Sequence, residues 1–258
     1  MGPRIAIVPW MLILALACGL HAETLKPGKN QVAIRGVAQD VYFYPAAGTG
    51  PHAAILFAPG DGGWRGFALT IAQTLAAAGY DVYGLDTRRY LQSFTGDAAL
   101  TTVDIASDFG QIANRVSQNR QERVILMGWS EGAGLGLVAA AAPANHDRLR
   151  GLVAIGTPQA SLLAWHWKDV LAELRNTMPN EPTFNSSDFI ANISPLPLFM
   201  IASAHDEYIS VPTTQALFAA AREPKRLVVI NGSDHKYGGK SEEFFRALRE
   251  ALHWVEQH

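Results

Sequence analysis

Short unbroken apolar runs, alternating with stretches of helical spacing, constrain this chain more than any other feature. The runs 53–58, 82–85, 124–127, 152–155, 198–202 and 227–230 carry almost no polar side chains. They are too short for helices and suit strands buried on both faces. Between them, 67–78, 102–116, 132–142, 213–221 and 242–255 place apolar residues at helical intervals. That order predicts a mostly parallel central sheet with helices on both faces. Residues 31–34 and 40–44, around Arg35-Gly36, read as an opening hairpin. Ser241 followed by Glu242-Glu243 predicts a cap and an acidic first turn for the last helix.

The rhythm breaks once. Residues 158–197 contain no buried-strand pattern, only a helix-like 162–174 and a Pro/Asn/Ser-rich 178–188. The expectation is a cap-like insertion after the sixth strand, either a lid over the site or a peripheral helix pair.

Residues 1–22 read as an export signal, leaving 23–258 as one domain. Arg4 supplies a positive start and residues 5–17 an apolar run too short to span a bilayer. Cleavage after Ala22 gives a periplasmic or secreted protein without cysteine, whereas cleavage after Ala17 makes Cys18 the first residue of a lipoprotein. The net charge of −2 and the lack of a basic run argue against a nucleic-acid partner.

Gly128-Trp129-Ser130-Glu131-Gly132 stands between the run 124–127 and a Gly/Ala-rich helix. In that context the pentapeptide describes a nucleophile elbow, a strained turn that exposes a serine above a helix N-terminus. A serine hydroxyl needs a base, and the base an orienting acid. Asp206 follows the run 198–202 and His235 follows 227–230, so Ser130, Asp206 and His235 appear in a productive order, each past a strand. Glu207, Asp234 and His205 are rivals for the supporting roles. The loop after 152–155 opens Gly156-Thr157-Pro158 and offers no acid, which favours Asp206.

An oxyanion requires donors: the backbone N–H of Glu131 and, from the loop Pro59-Gly60-Asp61-Gly62-Gly63-Trp64, that of Asp61, with Gly62 second. That loop matches neither glycine-rich nucleotide signature. The scattered histidines show no metal-binding spacing, so neither a metal nor a cofactor is expected. Gly62, Trp64, Trp129, Arg88 and Trp165 are the candidate substrate-binding residues, the tryptophans for an apolar or acyl cleft and Arg88 for a phosphate head group.

These motifs resemble the α/β-hydrolase superfamily from about residue 31 onward. More narrowly, Pro59-Gly60-Asp61-Gly62-Gly63-Trp64, residues 79–86 and Arg88-Arg89-Tyr90-Leu91 are similar to the G-D-G-G-W loop and D-x-x-R-Y segment of the bacterial virulence protein VirJ/AcvB family. The resemblance implies an exported protein that hydrolyses an ester, for that family an aminoacylated phosphatidylglycerol, at a membrane surface. The expected activity is thus a serine hydrolase acting on a small-molecule or lipid ester. The alternative is a non-catalytic lipid- or protein-binding module on the same scaffold.

Overall fold

A computed structural model describes residues 24–48, 52–169 and 180–258. The signal and Cys18 lie outside the described residues. The chain opens with β1 (Gly28–Ile34) and β2 (Val37–Tyr44), an antiparallel hairpin. Its two-residue turn has Arg35 at φ 48° and Gly36 at φ 78°, both left-handed, the twist that suits a tight hairpin.

Then come β3 (Ile55–Ala58), α1 (Phe67–Ala77), β4 (Val82–Leu85), α2 (Thr87–Ser93), α3 (Thr102–Arg120), β5 (Val124–Trp129), α4 (Glu131–Ala141) and β6 (Leu149–Ile155). After the insertion follow β9 (Leu198–Ser203), a helix Val211–Ala220, β10 (Lys225–Ile230) and the C-terminal helix Ser241–Gln257. One eight-stranded sheet results, ordered β1-β2-β4-β3-β5-β6-β9-β10 and parallel from β4 to β10.

Alternate residues of each strand feed opposite cores. Leu56, Leu126 and Leu152 pack with Ile105, Phe109, Leu135 and Val138 of α3 and α4. Ile55, Ile125 and Val153 pack with Ile71 and Leu75 of α1 and with Phe244 and Leu248 of the C-terminal helix. This period-2 division puts a helical layer on each face. Among the described residues no helix is long and apolar enough to cross a membrane.

Several expectations change. β10 is an edge strand, and Val229 is 40% exposed, so this run is not buried on both faces. α2 carries no periodic signal; the Asp86 side chain caps it by accepting from Arg89 N at 3.2 Å. Ser241 is the first helical residue rather than a cap, and Lys240 precedes it with no side-chain cap bond. The acidic turn Glu242-Glu243 is in place.

Within 158–197, β7 (Ala160–Leu162) pairs antiparallel with β8 (Thr183–Asn185), and Trp167–Asp169 forms a 3-10 turn. Leu162 is therefore in a strand, not in the helix expected over 162–174, the rest of which partly lies outside the described residues.

Candidate active site

Ser130 occupies the tight turn between β5 and α4 at φ 56°, ψ −124°. Such a conformation in a residue with a Cβ costs about 1–3 kcal/mol and has to be imposed by its surroundings. Those surroundings require two glycines. A Cβ on Gly128 would lie 2.3 Å from Gly132 O, and one on Gly132 would lie 2.0 Å from Ala58 O. Backbone bonds complete the turn: Ser130 N donates to Ile155 O at 2.8 Å, and Ala133 N donates to Ser130 O at 2.8 Å.

Asp206 and His235 reach the same end of the sheet from loops after β9 and β10. His235 Nδ1 lies 2.6 Å from Asp206 Oδ2, with both side chains almost fully buried. The other oxygen, Asp206 Oδ1, accepts from Tyr208 N at 2.9 Å and Ile209 N at 3.0 Å. Burial alone would raise the Asp206 carboxyl. The hydrogen bond and charge of His235, with the two amides, outweigh it and hold the group below the ordinary carboxylate range.

The rivals have other tasks. Glu207 Oε2 accepts from His235 N at 2.8 Å, Asp234 Oδ1 accepts from Lys236 N and Gly238 N at 2.8 Å each, and His205 Nδ1 lies 3.1 Å from Gly232 O.

The imidazole is boxed in. Its ring centroid is 5.3 Å from that of Trp129 and 5.4 Å from that of Tyr208, and a Cβ on Gly156 would stand 2.9 Å from His235 Cε1. His235 Nε2 is buried and makes no hydrogen bond among the described residues, so Ser130 Oγ is not bonded to it. Nucleophile–base bonds are often long without substrate and tighten around the reacting group.

The glycine-rich loop approaches from β3. A Cβ on Gly60 would come within 3.2 Å of Ser130 Cβ, and Gly63 N closes the turn on Gly60 O at 3.0 Å. Gly60 therefore stands beside Ser130 with Asp61 next in the loop, and Glu131 opens α4, where first-turn amides have no partner within the helix.

The side chain of Glu131 went unread in the sequence. It is buried, and its Oε1 accepts from Leu162 N of β7 at 2.7 Å. Burial first, then the negative charge of Asp61, push its carboxyl up to about 8, against the opposing pull of the Leu162 amide. A buried acid after a strand is indistinguishable by pattern from an exposed first-turn acid.

The candidate substrate-binding residues do not form one apolar cleft. Trp129 is packed between Phe67 and His235. Trp64 stacks on Tyr42 and lies against Gly84, where a Cβ would meet the indole at 1.8 Å, because the sheet there has no side chain to hold it off. Trp165 is buried, with the Arg88 guanidinium 3.9 Å over its ring. Gly62, Trp64 and Arg88 line a largely polar cavity of about 300 Å³ together with Arg65, Asp86 and Arg89. Ser130, Asp206 and His235 are not in its lining.

Comparison with known proteins agrees with this architecture. The sequence model described as bacterial virulence protein (VirJ) matches residues 52–169. The uncharacterized protein YfhR of Escherichia coli O157:H7 is 24% identical over 204 residues, covering 75% of this chain and 68% of that protein. Among solved structures, the α/β hydrolase GrgF from Penicillium sp. sh18 superposes with a TM-score of 0.68 at 15% identity, over 88% of this chain and 98% of that one. Est1E from Butyrivibrio proteoclasticus gives 0.62 at 14%, over 90% and 100%. The dienelactone hydrolase of Anabaena variabilis gives 0.63 at 17%, over 90% and 98%. The chain has the α/β-hydrolase fold.

Proposed function

We propose that this chain is a serine hydrolase that cleaves a carboxylic ester through an acyl-enzyme. One observation carries the reading: a serine held at φ 56° between a buried strand and a helix N-terminus, at the same end of the sheet as a buried Asp206–His235 pair at 2.6 Å. An imidazole bonded to a carboxylate through Nδ1 presents Nε2 as a base.

In the first step Ser130 Oγ bonds to the ester carbonyl carbon while its proton passes to His235 Nε2. The oxyanion is met by the N–H groups of Glu131 and Asp61. Collapse breaks the carbon–alkoxy bond, and the alcohol leaves with the proton from His235. Water then repeats the sequence on the acyl-enzyme and releases the acid and free Ser130. Asp206 fixes the imidazole tautomer and offsets its charge. The residues around Ser130 supply every proton transfer in this scheme, which calls for no cofactor.

The apolar run behind Arg4 and the likeness to the VirJ family support export and place acyl and aminoacyl lipid esters first among substrates to screen. Labelling with a fluorophosphonate probe tests the reading, because only an activated serine reacts quickly with it. Wild type labels and Ser130→Ala does not. A folded wild type that stays unlabelled refutes the hydrolase assignment and favours a binding module on the same scaffold.

A further inference from the structure

The insertion brings together three side chains that the sequence keeps apart. His166 Nδ1 lies 2.7 Å from Glu181 Oε1 and 4.0 Å from Asp169 Oδ2, and one donor atom from each residue falls within 4.8 Å of the others. Both carboxylates are nearly buried, at 6% side-chain exposure each, while the imidazole is 36% exposed. The backbone N–H of His166 donates to Asp169 Oδ2 at 2.6 Å, which fixes the direction of that carboxylate. The nearby lysine, Lys168, is 63% exposed and holds its Nζ 4.0 Å from Glu181 Oε1.

We propose that His166, Asp169 and Glu181 form a binding site for a divalent transition-metal ion of the zinc class. Among the described residues, two buried carboxylates face one imidazole and one largely solvated ammonium, a balance that a cation would complete, and buried charge is costly unless paired or metal-bound. The donor chemistry selects the ion. One imidazole nitrogen and two carboxylate oxygens suit zinc and its neighbours, whereas calcium and magnesium take oxygen ligands throughout.

The spacing agrees. Bonds of roughly 2.0–2.2 Å in a tetrahedral site place ligand atoms about 3.3–3.6 Å apart, between the 2.7 Å and 4.0 Å separations from His166 Nδ1. The exposed side of His166 leaves a fourth position for water. The hydrogen bond from its own backbone to Asp169 acts as the supporting contact that metal ligands generally need.

The ligands come from the 3-10 turn Trp167–Asp169, with the residue before it, and from the approach to β8. An ion there would clamp the two arms of the insertion. It would also anchor Trp165, the partner of Arg88 beside the glycine-rich loop. No metal-binding spacing shows in the sequence here, because Glu181 joins the other two only through the fold.

The test uses the untagged full chain, stripped with EDTA and titrated with Zn²⁺ by calorimetry. The expected result is one equivalent bound, with a higher melting temperature. His166→Ala and Glu181→Gln should each weaken that binding by at least about 100-fold, beyond the effect usual for removing a supporting contact. Co²⁺ loaded into wild type, read by X-ray absorption, should report mixed nitrogen and oxygen donors with no sulfur, which keeps the test valid if a variant fails to fold. No uptake by the stripped wild type, wild-type affinity in both variants, or a sulfur-containing shell would each overturn the site. Ser130→Ala should bind Zn²⁺ as wild type does, so this proposal stands or falls apart from the hydrolase reading.

Discussion

The carboxyl of Glu131 gives the sharpest test of the site's electrostatics, through Glu131→Gln. Burial beside Asp61 raises it to about 8 in the folded protein, from 4.5. Between those values the folded chain holds a proton that the unfolded chain has released. The sign follows: the folded state binds more protons, so stability falls as pH rises through that window and levels off above about 8. Each pH unit costs up to about 1.4 kcal/mol, and the whole interval on the order of 5 kcal/mol.

Glutamine keeps the shape and still accepts the Leu162 amide, but never ionises. Urea denaturation of both proteins from pH 5 to pH 9 isolates the effect, since other titrating groups cancel in the difference. The variant should gain on wild type by several kcal/mol between pH 5 and pH 8 and no further above it. Curves that run parallel from pH 5 to pH 9 would show that Glu131 is not held protonated, and the reasoning would fail.

In the proposed hydrolase, Asp206→Asn leaves the imidazole without its carboxylate, and kcat on a reporter ester should fall by roughly 10⁴-fold with the circular dichroism spectrum unchanged; a loss of less than tenfold would remove Asp206 from the proposed triad. Because the Asp206 carboxyl is held low, its contribution to stability is present above the usual carboxylate range and should disappear as pH falls through its folded value, a loss that acid titration of Asp206→Asn against wild type would reveal as a missing acid-side slope. Gly132→Ala drives a Cβ to 2.0 Å from Ala58 O, which is backbone and cannot step aside, so the melting temperature should drop by at least the equivalent of about 1–3 kcal/mol. Tyr90→Phe removes the 2.8 Å bond to the buried Asp108 carboxylate and should cost about 1–3 kcal/mol in chemical denaturation.

What could be read in the sequence follows from which forces act locally. β3, β4, β5, β6 and β9 announce themselves because a strand covered by helices on both faces has no polar option. β10 carries a similar run, yet a strand at the sheet edge is flanked on one side by no other strand, and its apolar residues then face partly outward; composition does not encode position in the sheet. The elbow is legible for a stronger reason. Its glycines answer contacts of 2.3 Å and 2.0 Å that any Cβ would make, so the backbone geometry leaves a direct mark on residue type.

The pair β7–β8 leaves no such mark, since three residues a side are too few to show alternation. Glu131 shows the limit most plainly. Its residue type fits a helix first turn, and nothing in the chain tells that Leu162, thirty-one positions on, will cover it and supply an amide. Contacts made by the insertion therefore cannot be inferred from the motif they cover. Leu162 over Glu131 and Trp165 against Arg88 both belong to the insertion, whereas Ser130, Asp206 and His235 stand just past strands of the central sheet. The elbow with the Asp206–His235 pair and the cover over them are thus specified by separate parts of the chain, which is why the proposed reaction is easier to read than its substrate.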